Sequence, residues 1–520
     1  MIKNYFDKSK GVKRKMNTFL NEMVKNNNIT RTENGGLTRK STESKVLDMF
    51  AVGGAYRKRP DVDVVLLFKN AFEENRDLAM KCLFYLRDVR GGQGERRFFR
   101  TAFRWLCTYR PEVARKNLLN VSEYGRWDDL IYTTVGTPVE KDMINVIKHQ
   151  LALDVQSKTP SLLAKWLPSQ NASNADTKRL GHVLANALGI TSRQYRKTLS
   201  ALRARINVLE RLMSENRWDE IEFDKIPSKA GLVYRNAFAR RDIIAKKYEA
   251  FAKNTSTKVN AEALYPHDVA HKAFDPDMRQ RALNAPDRLM LQKYWDNLKD
   301  FYNGREENGI AVVDVSGSMI GTPMEAAVSM GAYIADKAHG PFAHHFITFS
   351  ARPELVGFEG VDIVDKLNRC KNANWGMNTN IKAVFDMLLS VAKNNRVKVE
   401  DMPTRIYIFS DMEFDRCVTF SNKRVSYSYW HDYETVNSID EVNSDLEKIK
   451  REWAREGYEM PQVVFWNLNA RNDRIPAIGE GFSYVSGFSP SMIDTILSGK
   501  DGYDLMLEKL LSDRYAAVTA

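Results

Sequence analysis

"VVDVSGSM", residues 312–319, decides how the second half of the chain is interpreted. An apolar run ends at an aspartate, and serines follow at the second and fourth positions after it. Asp314, Ser316 and Ser318 therefore place three hard oxygen donors on one short turn, which suits a metal cradle or a plain polar loop. A nucleophile turn is disfavoured because the Gly-x-Ser-x-Gly pattern is missing, and a phosphate loop because no Lys-Ser or Lys-Thr follows.

The sequence around this stretch alternates between strand-like and helical patterns from residue 305 onward. The strand-like runs are GIAVVDVS, AHHFITFS, TRIYIFSD and QVVFWNLNA, and helical stretches lie between them. Such alternation predicts βαβ units and a doubly wound, mainly parallel sheet. Ligands of such sheets bind at the carboxyl ends of the strands, and Asp314 and Asp411 each end one of these runs.

The first 300 residues have a different organisation. Residues 1–40 are polar and basic, which predicts a flexible arm. Residues 41–300 consist of segments with helical periodicity separated by short turns, which predicts an all-α, HEAT-like solenoid or ring. The sequence therefore predicts a multidomain chain with an arm, a helical domain at 41–300 and an α/β domain at 305–515.

Charge is distributed unevenly between these parts. Residues 1–300 hold 55 Lys and Arg against 35 Asp and Glu, whereas the remaining residues hold 23 against 31. This asymmetry favours a polyanionic partner for the helical part, although a basic domain that is merely well solvated stays open. No run of 18 apolar residues occurs, so no membrane span is expected. The four scattered cysteines lack a CxxC pair and indicate reduced thiols of a cytosolic protein.

Two basic stretches are candidates for contact with nucleic acid. "LRDVRGGQGERRFFR" places arginines around glycines at a helix start, where free N–H groups favour phosphate, and "SRQYRKTLSALRAR" predicts a basic helical stripe. Solvated arginines are an equally good explanation of both, and no motif for sequence-specific recognition accompanies them. His267 and His271 lack further ligands for zinc and are interpreted as structural. The candidate RNA-binding residues are Arg87, Arg90, Arg96, Arg97, Arg100, Arg193, Arg196, Lys197 and Arg203.

Two more oxygen-bearing positions complete a pattern with the opening turn. Asp314, Ser316, Ser318, Thr379 and Asp411 lie on three loops at one predicted edge of the sheet. This series resembles the metal-ion-dependent adhesion site of von Willebrand factor A domains, over residues 305–515. The resemblance implies that the three hydroxyls bind Mg²⁺ or Mn²⁺, with both aspartates binding directly or through water, and that an acidic side chain of a partner completes the shell. Met412 departs from the pattern, since many such domains have Gly there.

A helical array followed by such a domain resembles the Ro autoantigen family, which is built on the TROVE module. The stretches RDVRGGQGERRFF, SEYGRWDDL and LLAKWLPS are similar to a group of viral and plant proteins of the same build. The resemblance to the Ro family implies a ribonucleoprotein component that binds small noncoding or misfolded RNA on a helical ring.

No arrangement of acid, base and nucleophile emerges from the sequence, so we do not expect an enzyme. The alternative function is a protein-interaction or assembly factor, including a structural virion component, that acts through the metal site without RNA. We expect a monomer in the cytoplasm, or in a virion if the chain is viral. The aromatic residues within 416–440 suit a lid or contact surface near the metal, or a cover for the edge of the sheet.

Overall fold

The computed structural model describes residues 28–206, 209–275, 279–350, 352–371, 373, 379–415 and 444–520. Up to residue 300 these ranges are rich in helices joined by short loops, as predicted, and most consecutive helices pack on one another. The helices are α1 Lys45–Val52, α2 Asp61–Glu74, α3 Arg76–Arg87, α4 Arg96–Tyr109, α5 Pro111–Lys116, α6 Leu118–Tyr124, α7 Trp127–Thr134, α8 Glu140–Gln156, α9 Leu163–Trp166, α10 Ala175–Ala187, α11 Ser192–Arg205, α12 Leu209–Ser214, α13 Ser228–Arg240, α14 Asp242–Lys253, α15 Pro266–Ala273 and α16 Ala285–Asp296.

Local signals explain where these helices begin and which face is buried. The side chain of Asn75 accepts a hydrogen bond from the backbone of Leu78 (3.0 Å) and caps α3. Thr191 and Gln194 form a capping box at the start of α11. In α4 the apolar positions recur at helical spacing. The buried Phe99 packs edge-to-face against Phe84, and this contact anchors the basic helix α4 to α3.

The second half contains a six-stranded sheet, flanked by helices, in the order β5-β4-β3-β6-β7-β8. Neighbouring strands are parallel except β5, which pairs antiparallel with β4. The predicted α/β architecture with a mainly parallel sheet is therefore confirmed, and strands β5 and β8 are additions to the four predicted. The elements are β3 Gly309–Val313, α17 Thr322–Lys337, β4 His345–Thr348, β5 Leu355–Gly357, α18 Ile363–Lys371, α19 Ile381–Asn395, β6 Arg405–Ser410, α20 Asp445–Arg455, β7 Gln462–Asn467, β8 Phe482–Ser486, α21 Ile493–Ile496 and α22 Gly502–Leu510.

An N-terminal hairpin lies against this α/β half. Strands β1 Ile29–Arg31 and β2 Leu37–Arg39 pair antiparallel, and the turn between them contains Gly35 at φ +85°. Arg39 binds Glu447 through two hydrogen bonds of 2.8 and 2.9 Å. The prediction of a flexible arm is therefore wrong for residues 28–40, because their backbone and side chains bond to the other half; residues 1–27 lie outside the described residues.

The helical half also packs directly on the sheet. The hydroxyl of Ser486, at the end of β8, accepts from the backbone of Gly54 (2.8 Å) and donates to the carbonyl of Phe50 (3.0 Å). A Cβ atom at Gly54 would lie 2.4 Å from the Ser486 carbonyl oxygen, so glycine permits this close approach. Within the described ranges, none of the helices combines the length and apolar character needed to cross a membrane.

Candidate functional site

The two predicted aspartates leave adjacent strands at the same edge of the sheet. β3 and β6 are parallel with Val313 opposite Phe409, so Asp314 and Asp411 follow at matching ends. Both side chains are fully buried. Two carboxylates that share a buried edge repel each other, and such an arrangement favours a cation.

Asp314 is held in place by its neighbours. Its Oδ2 accepts from the hydroxyl of Ser410 (2.6 Å), and its Oδ1 accepts from the backbone N–H of Ser316 (2.8 Å). Burial, together with the smaller effect of the nearby Asp411 charge, raises the pKa of Asp314 to about 6. The carboxylate is therefore oriented by hydrogen bonds but short of compensating positive charge.

The two serines lie side by side on the turn that follows. A single 3-10 turn at Gly317–Met319 brings the Oγ atoms of Ser316 and Ser318 to 3.1 Å from each other. The carbonyl of Ser318 accepts from the side chain of Asn469 (3.0 Å), which ties this turn to the loop after β7. Both serines are half-buried, and Ser316 lies against Asp314.

Thr379 lies on a third loop and has protein partners of its own. Its hydroxyl lies 3.1 Å from two acceptors, the Glu413 carbonyl and Asp415 Oδ1. The same hydroxyl accepts a hydrogen bond from the side-chain amide of Asn34 (3.1 Å). The backbone N–H of Thr379 donates to Asp415 Oδ2 (2.8 Å). Thr379 is therefore fixed to the loop that follows Asp411, with its hydroxyl already engaged.

Asp411 carries an unsatisfied oxygen at this edge. Its Oδ1 accepts from the backbone of Glu413 (3.2 Å), but its buried Oδ2 has no hydrogen-bond partner. Arg471 Nη2 lies 3.2 Å from that oxygen, a distance of an ion pair without the direction of a hydrogen bond. A buried carboxylate oxygen without a donor is a position that a cation would satisfy.

The donor set therefore fits a hard divalent cation. It combines two buried carboxylates with serine hydroxyls, the oxygen ligands that Mg²⁺ and Mn²⁺ prefer. Across the described residues no three His, Cys, Asp or Glu side chains converge as ligands, so a metal here depends on the hydroxyls. Met412 adopts φ +67° and is buried, which explains why glycine suits this position and shows that methionine is accommodated.

Several residues of this edge were not predicted. Ser410, Glu413, Asn469 and Arg471 all contact predicted residues, and Asn34 reaches Thr379 from the hairpin. Only Ser410 has a sequence signal, since it stands directly before Asp411 at the end of a strand. Glu413 lies two residues after Asp411 on the same loop, and the other three come from loops distant in sequence.

The glycine-rich turn between α3 and α4 forms hydrogen bonds within the protein. The side chain of Glu95 caps α4 by accepting from the backbone of Arg97 (3.0 Å), which occupies an N–H group that phosphate would need. The side chain of Gln93 accepts from the backbone of Ser489 (3.2 Å), and Ser491 donates to the carbonyl of Gly92 (3.1 Å). The turn is therefore a joint between the two halves.

Most of the arginines around this turn are already paired. Arg87 is almost fully buried and donates two hydrogen bonds (2.8 and 2.6 Å) to Asp129. Arg100 binds Asp129 and Asp128, Arg97 binds Asp61, and Arg90 lies 3.9 Å from Glu123 at the surface. Arg96 differs, since no hydrogen bond or ion pair of its guanidinium occurs within the described residues. Partial burial lowers the pKa of Arg96, as do the charges of Arg126 and Arg100.

The second basic stretch, on α11, likewise contains both exposed cations and an arginine that is bonded to the protein. Arg193, Arg196 and Lys197 are exposed, and Arg196 also donates to Gln170 (3.3 Å). Arg203 instead donates to three protein groups, the carbonyls of Ala164 and Leu167 and the hydroxyl of Ser169, and burial lowers its pKa. Arg196, Lys197 and Arg203 line a cavity of about 810 Å³ beside α9.

A larger cavity of about 1180 Å³ lies between the two halves. Arg126 stacks on Trp166 (4.0 Å to the ring) and Arg57 on Phe488 (3.6 Å), and both also pair with acids. The wall of this cavity includes Gly321 and Asn469, which lie next to the turn that carries Ser316 and Ser318. The cations on the wall are Arg57, Lys58, Arg87, Arg96, Arg97, Arg126, Lys165 and Lys229, against the acids Glu95 and Glu210.

Fold and site together define a chain of two interlocked parts, a basic helical half and an α/β half with an acidic, hydroxyl-bearing sheet edge. The chain belongs to the family described as Domain of unknown function (DUF2828), whose model matches residues 32–187 and 182–300. The model described as Domain of unknown function (DUF7788) matches residues 308–513, which contain the sheet. The chain is also similar to "Uncharacterized protein L728" of Acanthamoeba polyphaga mimivirus, at 30% identity in a match that covers 91% of this chain and 85% of that protein.

Proposed function

We propose that this chain is an RNA-binding protein that holds RNA phosphates in the basic cavity between its halves and a divalent cation at the adjacent sheet edge. In this proposal the helical half is a TROVE-like, HEAT-like array and the α/β half a von Willebrand factor A domain, as in the Ro family. The protein acts as a ribonucleoprotein component in the cytoplasm or in a virion, and not as an enzyme.

The observation that carries the RNA part is a set of cations on the cavity wall that have no acidic partner among the described residues, although Lys165 Nζ lies over the Trp166 ring at 5.8 Å. Within the described residues, the charged groups of Lys58, Arg96 and Lys165 make no hydrogen bond or ion pair, although each lines the cavity. Cations placed together without counter-ions repel one another, and a polyanion relieves that repulsion. Phosphate contacts of this kind carry no sequence information, so we expect binding to RNAs of many sequences.

The metal part of the proposal uses the sheet edge. Asp314, Ser316, Ser318 and Asp411 would hold Mg²⁺ or Mn²⁺, and Thr379 would join them only if its hydroxyl left its present partners. With so few carboxylates the bound ion keeps residual positive charge, so it supplies a binding site for an acidic group of a partner protein.

The test of the RNA part compares two triple variants of the full chain. Lys58→Gln, Arg96→Gln and Lys165→Gln together remove the unpaired cations of the cavity. Lys141→Gln, Lys148→Gln and Lys178→Gln together remove the same charge from exposed positions outside its lining. Affinity for a short fluorescent single-stranded RNA would be measured by anisotropy over a series of salt concentrations.

We expect the cavity variant to bind at least ten-fold more weakly, with a log–log salt dependence shallower by about 2, since each lost phosphate contact removes about 0.7 from the slope. The control variant should change both quantities much less. Equal losses in the two variants would mean that only net charge matters, and no salt-dependent binding by the unchanged protein would contradict the RNA proposal.

A protein-assembly factor that uses the metal edge without RNA is the second candidate. The observation that favours it is that Arg87, Arg97, Arg100 and Arg203 bond to the protein itself. Much of the basic charge predicted to meet RNA is therefore structural. Metal-dependent capture of an acidic protein in the absence of any RNA binding would support this candidate.

A further inference from the structure

The tip of the N-terminal hairpin is bonded to the loop that follows Asp411. The hydroxyl of Thr32 donates to the carbonyl of Phe414 (2.5 Å), and the backbone of Glu33 donates to Glu413 Oε2 (2.7 Å). The side chain of Asn34 donates to the carbonyl of Glu413 (2.7 Å). A segment nearly 400 residues away in sequence thus covers part of the proposed metal edge.

Arg471 connects this hairpin to the buried carboxylate. Its Nη1 lies 2.8 Å from Glu33 Oε2, and its Nη2 lies 3.2 Å from Asp411 Oδ2. One guanidinium therefore bridges two carboxylates with very different surroundings, because the side chain of Asp411 is fully buried while that of Glu33 is 43% exposed.

The contact on the Asp411 side is the weaker of the two in geometry. The N–H of Arg471 does not point at Oδ2, which is why that oxygen lacks a hydrogen bond despite the short distance. Arg59 of the helical half donates to the backbone carbonyl of Arg471, so the main chain is fixed while the long side chain, 36% exposed, is able to swing.

A divalent ion and this guanidinium would compete for the same oxygen. Both are cations, and a metal bound to Asp411 Oδ2 would lie against Nη2 with no anion between them, which is strongly repulsive in a buried setting. Asp314 adds a second buried carboxylate to attract whichever cation is present. The displaced guanidinium would remain paired with the Glu33 carboxylate at the surface, where water also hydrates its charge.

We propose that Arg471 is a built-in competitor of the metal: its guanidinium occupies the free oxygen of Asp411 until a divalent cation displaces it toward Glu33. This inference rests on the metal part of the proposed function and adds a residue that sets metal affinity. Arg471 then acts as a positioning residue that weakens the site, so that the edge loads only when the concentration of the ion is high.

The experiment measures Mg²⁺ and Mn²⁺ binding to the full chain by isothermal titration calorimetry. Arg471→Gln should raise the affinity about ten-fold, equivalent to about 1.4 kcal/mol, because it removes the competing charge. Arg471→Lys keeps the charge and should stay within about three-fold of the unchanged protein, a difference of less than 1 kcal/mol. Thermal melting without metal checks that each variant is folded.

Arg474→Gln is the matched control. Arg474 lies on the same loop and donates to Thr30 of the same hairpin (3.3 Å), but among the described residues it makes no contact with Asp411. Its substitution should leave metal affinity unchanged.

The outcomes separate this inference from the proposal on which it rests. Metal binding by the unchanged protein with equal or weaker binding by Arg471→Gln would overturn the competitor role alone. Equal gains in Arg471→Gln and Arg474→Gln would overturn it as well, since a general charge effect would explain both. Absence of binding in every protein would overturn the metal site itself, and binding by Arg471→Gln alone would support the competitor role directly.

Discussion

Two turns of the molecule combine glycine with polar side chains, one at residues 88–95 and one at residues 314–318. They differ in how fully the protein itself satisfies the polar groups there. In the first turn Asp88 is bound by Arg514 and Tyr515, and Gln93 and Glu95 bond to the backbone. At the second, a buried oxygen of the neighbouring Asp411 has no hydrogen bond and only the ion-pair contact with Arg471. Polar groups that the protein satisfies by itself indicate structure, whereas a group left unsatisfied indicates a ligand.

This comparison predicts a separation of effects. Changes at the glycine-rich joint, by which we mean residues 87–95 and the residues bonded to them, should lower stability and leave metal binding intact. Changes at the sheet edge should alter metal binding and leave the metal-free fold nearly unchanged.

The largest expected effect is at the joint. Arg87→Ala should lower the free energy of unfolding by about 3 kcal/mol, because it removes one partner of an ion pair in which both side chains are buried. Arg100 still pairs with Asp129, which keeps the loss at the low end of the usual range. Urea denaturation measures the change.

Arg90→Ala is its control, since Arg90 is 61% exposed and its guanidinium contacts only Glu123 among the described residues, through a hydrogen bond to its carbonyl (3.2 Å) and a 3.9 Å approach to its exposed carboxylate. It should cost less than about 0.5 kcal/mol. Similar losses from Arg87→Ala and Arg90→Ala would mean that the joint is not held by its buried pairs.

The next effect belongs to the sheet edge. Mg²⁺ at 100-fold above its dissociation constant should stabilise the protein by about 2.7 kcal/mol, since a ligand that binds only the folded state shifts the equilibrium by mass action. Asp314→Ala should abolish this increment and Ser316→Ala should reduce it, as measured by thermal melting with and without the ion.

Ser329→Ala serves as the control, because the Ser329 hydroxyl bonds to its own helix within the core. Its metal increment should match that of the unchanged protein. If the unchanged protein melts at the same temperature with and without Mg²⁺, Ser316 and Ser318 only form the turn and do not bind a metal ion.

A pH effect of intermediate size is expected near the joint. Burial lowers the pKa of His267 to about 4, and its ring packs edge-on against Phe488 of the α/β half (4.9 Å). Because the unfolded chain binds the proton near pH 6.5, stability from this residue is complete above that pH and declines as pH falls toward 4. We expect His267 alone to contribute a loss of about 1–2 kcal/mol between pH 7 and pH 5, reduced from the full value because the residue is partly accessible to water.

His267→Phe should flatten this part of the pH profile in urea denaturation. His149→Phe, at an exposed position on α8, should not. A profile that keeps its slope in His267→Phe would assign the pH dependence to other groups.

The same two regions show what the sequence could and could not predict. The four predicted strands carry continuous apolar runs, as buried parallel strands do. Because Asp314 and Asp411 each end one of these runs, the sequence predicted that both lie at the same edge of the sheet. β8 was missed because "FSYVS" contains serines, although all five residues are buried. Glu95 directly before α4 was an available sign that the helix caps itself. Arg471 and Asn34 had no sign, since their positions depend on how distant loops and the hairpin meet.

The smallest expected effect tests the turn after Asp411. Met412 is buried at φ +67°, a conformation that costs a residue with a Cβ roughly 1 kcal/mol and glycine almost nothing. Both Met412→Ala and Met412→Gly lose the buried side chain, but only glycine also removes the strain. We therefore expect Met412→Gly to be more stable than Met412→Ala by about 1 kcal/mol in urea denaturation, although glycine is normally the less stable of the two within folded elements. Ala332→Gly, in the interior of α17, should show that normal order with a loss of about 1 kcal/mol. If alanine at position 412 proved the more stable, the left-handed turn would not be the reason that glycine suits this place, and the loop that presents Asp411 would have a different backbone.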